Sequence, residues 1–325
     1  MTVELRTGDI AEIGDLLKCW PYAPLGYTKV HRDCDLQGYY LEDVQKILHN
    51  GGSLIVAAEK GKICGFSVLA KLPWDSDYFN KPMAAVSYLI VDLKKENKNE
   101  IASELLGYVE NKSKQEGVAF LLSKTSTNDY TAIHALERKG FLMMDTILKF
   151  YYDFQRFSDR QEPLKCADFQ ARLANVADCD ELIQLSRRAF AGHIGRYHND
   201  KNIPNEKATG LYELWIKSSC SGWADWIVVA EKEGRIAGYS VWKKPSDNQR
   251  KHGIDLVDYS IVATDPYFQK QGLFGLLTLE GMKLIRGNYR YSEGRTVVDN
   301  FGVQRGFIKL GWKICGGQHA FHKWL

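Results

Sequence analysis

The stretch of the chain best equipped for chemistry is Ile261–Leu277, IVATDPYFQKQGLFGLL. An apolar strand runs into Asp265 and Pro266, a polar loop carries Gln269, Lys270, Gln271 and Gly272, and a helix begins near Leu273. Backbone N–H groups at a helix N-terminus lack internal partners, and the helix dipole adds partial positive charge in front of them. Gly272 lets the backbone approach a ligand closely or take a positive φ, and Lys270 adds a mobile cation. Together they describe an anion site suited to a pyrophosphate.

A strand must deliver such a loop and a helix must receive it, and both recur earlier in the chain. The segment from Ile55, IVAAEKGKICGFSV, matches that from Ile227, IVVAEKEGRIAGYSV, at an offset of about 172 residues. Each has the signature of a β-hairpin, turning around Gly61 or Gly234. Ser87–Leu106 then lines up without gaps on Tyr259–Thr278, strand to helix in both cases. A third match sets Asn128 against Asn300, each before a helix ending near Gly140-Phe141 or Gly311-Trp312. Three matches in one order imply an internal duplication. Residues 156–167, RFSDRQEPLKCA, are polar, contain Pro163 and fit a linker. The expected domains are therefore 1–155 and 168–325. Within each, strands alternate with helices after an antiparallel start, which predicts a mixed central sheet flanked by helices: an α/β (α+β) fold used twice in tandem.

The two copies differ where it matters most. Glu100 stands at the place of Gly272, Asn97 at Gln269 and Ala102 at Phe274. A carboxylate there repels a pyrophosphate, and the loop has lost its glycine. The first copy is expected not to bind the ligand and to serve structurally, covering the second copy's sheet or shaping an acceptor cleft.

Bulk properties narrow the class. The 325 residues are 45% hydrophobic and 26% charged, and 43 basic against 40 acidic residues leave a net charge of +3. That charge is too slight and diffuse for a nucleic-acid partner. No basic segment leads into an apolar one at the start, and no run of apolar residues is long enough to insert in a membrane. The seven cysteines are scattered without a CxxC pair, so neither a disulfide framework nor a thiolate metal site is expected. A reduced, cytoplasmic protein is the plain expectation.

The loop and the repeat resemble the GNAT acetyltransferase superfamily, whose cofactor signature is Q/R-x-x-G-x-G/A. Gln269 and Gly272 fit its spacing, with Phe274 in place of the final small residue. The resemblance implies acetyl-CoA as co-substrate, held by Val262, Ala263, Thr264, Gln269, Lys270, Gln271, Gly272, Leu273 and Phe274. Asn300 and Phe307 would adjoin the pantetheine. Leu72–Phe79, LPWDSDYF, and the order of elements from Ala189-Phe190 to Gly238-Tyr239 resemble dTDP-fucosamine acetyltransferase-type enzymes. That resemblance implies a small-molecule amine acceptor, a nucleotide-linked amino sugar, with a homodimer compatible.

Within the resemblance each residue carries an expected role. Asp258 lies on the strand leading into the loop, where histone-type members place a glutamate, and is either the base for the amine or a carboxylate paired with a lysine. A backbone N–H near Val262 or Ala263 would hold the carbonyl oxygen. The family's acid is a tyrosine where this chain has Phe307, which carries no proton to give. Tyr259, Tyr289, Tyr291, His319, His322 or solvent would replace it. Asn300 either contacts pantetheine, caps its helix, or both. Arg196, Tyr197 and His198 suit a phosphate or sugar in the acceptor. No metal is expected, because His319 and His322 would face opposite sides of a strand. Two other readings stay open: a mycothiol-synthase-like enzyme acetylating another small amine, and a CoA-binding scaffold without turnover.

Overall fold

A computed structural model describes residues 3–26, 34–157, 166 and 168–325. The chain divides into two compact units, one of residues 1–146, 251–253 and 317–325, the other of residues 147–250 and 254–316. Of the expected linker, 158–165 and 167 lie outside the described residues.

The first unit begins with β1 (Glu4–Thr7), α1 (Gly14–Lys18), α2 (Leu36–His49), β2 (Ser53–Glu59) and β3 (Lys62–Lys71). It continues with α3 (Pro73–Phe79), β4 (Met83–Val91), α4 (Lys98–Gln115), β5 (Phe120–Ser126) and α5 (Tyr130–Arg138). The second unit takes most of β6 (Leu142–Asp153), then β7 (Gln170–Leu173), α6 (Cys179–Phe190), α7 (Asn205–Ser218), β8 (Trp226–Lys232) and β9 (Arg235–Lys243). After α8 (Asp247–Lys251) come β10 (Leu256–Thr264), α9 (Leu273–Ile285), β11 (Tyr291–Val297), α10 (Phe301–Lys309) and β12 (Lys313–Trp324).

Strand order is β1-β2-β3-β4-β5-β12 in the first unit and β6-β11-β10-β9-β8-β7 in the second. Each half of the sequence therefore gives its last strand to the other unit. Gln318–Trp324 of β12 runs antiparallel to β5, and Ile147–Asp153 of β6 runs antiparallel to β11. The compact units differ from the expected domains 1–155 and 168–325 by these two strands and by residues 251–253.

Burial explains why the elements hold. Helix α9 buries Leu273, Leu277, Met282 and Ile285 against the sheet, and α4 buries Ile101, Leu105, Leu106 and Val109 in the same way. Each such side chain contributes about 2 kcal/mol. Close approach fixes both helices. A Cβ on Gly238 would stand 3.1 Å from the Leu277 side chain, and one on Gly65 the same distance from that of Leu105. Leu105 and Leu277 are thus true counterparts, which places Glu100 at Gly272.

Strand β10 changes sides partway along. Val257 and Tyr259 pack with α9 and α10, whereas Ile261 and Ala263 pack with Leu182 and Leu185 of α6. Strict alternation would put all four on one face. An irregularity between Tyr259 and Ile261 leaves Ser260 as the extra residue, and a bulge of this kind carries the following side chains to the opposite face. Strand β4 has the same device between Val86 and Tyr88.

Candidate functional site

In the second unit β10 pairs with β9 out to Thr264 but with β11 only from Leu256 to Tyr259. β11 stays paired to β6 as far as Val297. The two central strands therefore splay, and the β11-side edge of β10 beyond the bulge faces a cavity of about 770 Å³. Val262, Ala263 and Thr264 form one wall, with Val297, Asn300, Gly302 and Val303 opposite. Backbone groups freed by the splay are the donors a carbonyl oxygen requires.

The loop at the cavity's end is built as the sequence suggested. Asp265 is 2% exposed and anchors it. Its carboxylate accepts from the Tyr267 N–H at 3.0 Å and from Arg188 Nη2 at 2.7 Å, with Arg235 Nη2 at 3.3 Å. Burial alone would raise its pKa, but these donors and charges outweigh burial and hold it below the carboxylate range. Two residues then take left-handed conformations, Lys270 at φ 62° and Gly272 at φ 85°. A non-glycine residue held there is strained, a cost characteristic of ligand-binding loops. Gly272 is the N-cap of α9 and makes no side-chain cap, so the first N–H groups of the helix are open to a ligand.

Of the expected cofactor residues, Val262, Ala263, Thr264, Gln269, Lys270, Gly272, Leu273, Phe274 and Asn300 all line this cavity. Gln271 lies in the loop but outside the lining. Phe307 is 2% exposed and lies beneath the lining, 5.2 Å from the Phe274 ring and stacked at 4.9 Å on Phe150. Asn300 does cap α10, its Oδ1 accepting from the Val303 N–H at 3.3 Å. Its counterpart in the first unit is Asp129, the cap of α5, and not Asn128. The sequence match slipped by one residue because both Asn128 and Asp129 are cap-forming types.

The other expected site residues are not brought to the cavity. Tyr259 is in the core, stacked at 4.0 Å on Trp242 with its hydroxyl 3.0 Å from Thr278 Oγ1, so it presents no proton to a ligand. Asp258 faces away from Tyr259, on the side Ile261 and Ala263 take after the bulge, but does not line the cavity. It forms an ion pair with Arg295, which also holds Glu293 at 3.1 Å. The pairing expected with a lysine is made with an arginine. Burial raises the Asp258 carboxyl's pKa while Arg295 pulls it down. Tyr197 is buried beneath Arg196, whose guanidinium lies 4.5 Å from its ring, and His198 Nε2 is 3.2 Å from Thr209 Oγ1. Neither Tyr289 nor Tyr291 lines the cavity, and His319 and His322 belong to the first unit.

In their place the structure brings Arg188 and Phe190 from the last turn of α6, His193 and Ile194 from just after it, and Asp299 from the turn before α10. Gln304 Nε2 donates to the Val298 carbonyl at 2.6 Å and steadies that turn. The expected Arg196, Tyr197 and His198 do not line the cavity while His193 of the same segment does, and no periodicity marks which residues of an irregular segment turn inward. Among the described residues no group of His, Cys, Asp or Glu could hold a metal, and no helix is long and apolar enough to cross a membrane.

The first unit has the same strand splay, with β4 paired to β5 only from Met83 to Val86. There the space is closed to about 10 Å³, bounded by Trp20, Tyr22, Ile90, Val91, Ala102 and Asp129. Helix α4 also begins at Lys98, so that residues matching Lys270–Gly272 are helical and none of them has positive φ.

The Acetyltransferase (GNAT) family profile matches residues 15–141. No curated protein matches the chain by sequence. A GCN5-related N-acetyltransferase from Sphaerobacter thermophilus superposes with a TM-score of 0.66 at 12% identity, over 99% of this chain and 95% of that one. A tandem GNAT protein from the clavulanic acid biosynthesis pathway gives 0.59 at 13% identity, over 99% and 98%. A GNAT family acetyltransferase from Colwellia psychrerythraea gives 0.51 at 9%, over the whole of both chains. The profile falls on the first unit, whose slot is filled. The fold along the length of the chain is therefore that of GNAT structures, and the family profile matches within residues 15–141.

Proposed function

We propose that the second unit binds acetyl-CoA and transfers its acetyl group to the amine of a small polar acceptor, while the first unit is a copy that takes no cofactor. One observation carries this reading: the 770 Å³ cavity between splayed strands, closed at one end by a left-handed loop and an open helix N-terminus. Gln269–Gly272 and the first turn of α9 would hold a pyrophosphate, and Val262–Thr264 would lie along the pantetheine. Phe274 replaces a small residue but packs toward α10, leaving Gly272 and the helix N-terminus open. The co-substrate supplies an activated thioester carbonyl, which the freed N–H groups of β10 would polarise. Phe307 donates no proton, so the departing thiolate takes one from solvent or from the reacting amine.

The acceptor class follows from resemblance alone, and a nucleotide-linked amino sugar is the first to test. Acetyl transfer is followed by release of CoA thiol with a nucleotide-linked amino sugar, a free amino sugar and a cysteinyl glycoside as acceptors. Turnover with the first alone supports the sugar-nucleotide reading, and turnover with the third alone supports the mycothiol-synthase-like alternative. Cofactor binding with no turnover on any amine favours a scaffold.

A further inference from the structure

Four ionisable side chains line the cavity of the second unit: Arg188, His193, Lys270 and Asp299. Arg188 is committed to Asp265, and Lys270 belongs to the anion loop. Asp299 is exposed at the rim. His193 is different. Its ring makes no hydrogen bond with any described residue, and three aromatic rings cradle it: Phe190 at 5.5 Å, His198 at 5.8 Å and Tyr212 at 5.2 Å. Its Nε2 edge lies beside Gly195, where a Cβ would stand 3.3 Å from it and 3.4 Å from the Tyr212 hydroxyl. The residue is therefore held in place by packing while its nitrogens remain uncommitted.

We infer that His193 is the group that takes the proton from the attacking amine. The inference rests on the reading of this cavity as an acetyl-CoA site. An acceptor arrives as an ammonium. His193 takes one N–H proton, the freed lone pair forms a C–N bond to the thioester carbonyl, and the C–S bond breaks. The second N–H proton passes to the thiolate, so the products are amide, CoA thiol and one proton returned by His193 to solvent. Burial keeps the imidazole neutral, near a pKa of about 4, with His198 acting in the same direction and Asp299 opposing. Phosphates bound in the same cavity would raise its basicity toward the working pH, where a general base is most effective.

The test compares the whole chain with a His193→Gln variant, using n-propylamine, which arrives protonated, and hydroxylamine, which is already neutral at pH 7.5. Calorimetry should give equal acetyl-CoA affinity for both proteins; a wild type that does not bind removes the cofactor reading itself, and a variant that alone fails to bind overturns the inference. Given binding, the variant should lose at least about 100-fold in kcat/KM for n-propylamine and less than about threefold for hydroxylamine. Equal losses with both amines, or no loss with either, would overturn the inference, as would a wild-type protein that binds acetyl-CoA but acetylates neither amine. Independently of turnover, the His193 imidazole resonance should titrate at higher pH with acetyl-CoA bound than without, and an unchanged midpoint contradicts the account.

Discussion

The two units set the same strand splay to opposite uses. In the second, Asp265 is clamped by Arg188 and Arg235, the loop turns through two left-handed residues, and the space beyond stays open. In the first, a buried Glu59 draws Lys95 and Asn97 to itself at 2.7 and 2.6 Å, and the helix starts a turn earlier. Lys95 is thereby neutralised, and the N–H groups matching those at the start of α9 lie one turn inside a helix. The segment after the first helix completes the contrast. It sends Trp20 and Tyr22 into the slot of one unit, and holds His193 and Ile194 at the edge of the slot in the other. Fold alone therefore does not decide whether the slot stays open, since the two units differ there in a handful of loop residues.

The largest break in this comparison should come from Gly272→Glu, which copies the first unit's residue into the second. Gly272 has φ 85°, so any side chain is strained there, and a carboxylate would also face the phosphates. Acetyl-CoA affinity measured by calorimetry should fall by at least about 100-fold, a loss of about 3 kcal/mol. Trp20→Ala probes the reverse change. It should cost about 2 kcal/mol in denaturant titration and still create no second binding site, because Glu100 and the early helix start remain. The buried indole Nε1 of Trp20 has no hydrogen-bond partner, which tempers the loss.

Asp129→Asn sharpens the comparison through pH, since it gives α5 the cap residue that α10 already has. Burial raises the Asp129 carboxyl to a pKa of about 6. The folded state therefore holds a proton that the unfolded chain has lost, and stability falls as pH rises from about 4 to 6. The variant keeps the acceptor for the Ala132 N–H without the charge. It should unfold about 1 kcal/mol harder than wild type at pH 7.5 and equally at pH 4, as thermal denaturation would show. The smallest effect is expected from Asp258→Asn. With its carboxylate given to Arg295 and off the cavity wall, acetyl transfer should change by less than about threefold in kcat/KM.

Much of this was legible in the sequence, for identifiable reasons. The hairpins, the repeat and the anion loop depend on local patterns: alternation, a turn glycine, and polar residues before an apolar helix. Gly272 and Glu100 could be matched because Leu277 and Leu105 keep the same helical phase. Exchange of the terminal strands was not legible. Strands β6 and β12 come from duplicated segments with similar patterns, and only tertiary pairing chooses between two equivalent edges. The facing of β10 was not legible either, because Ser260 adds a residue and moves Ile261 and Ala263 to the side opposite Tyr259. His193 gave no signal, since nothing in AFAGHIGRYHN separates an inward ring from an outward one.

The most direct test of the central claim is a calorimetric titration of the purified full-length protein with acetyl-CoA, with stoichiometry as the readout. The account predicts one site per chain, abolished by Gly272→Glu and untouched by Glu100→Gln. Two sites per chain would contradict the claim that the first unit is closed, and no binding at all would contradict the assignment of the second.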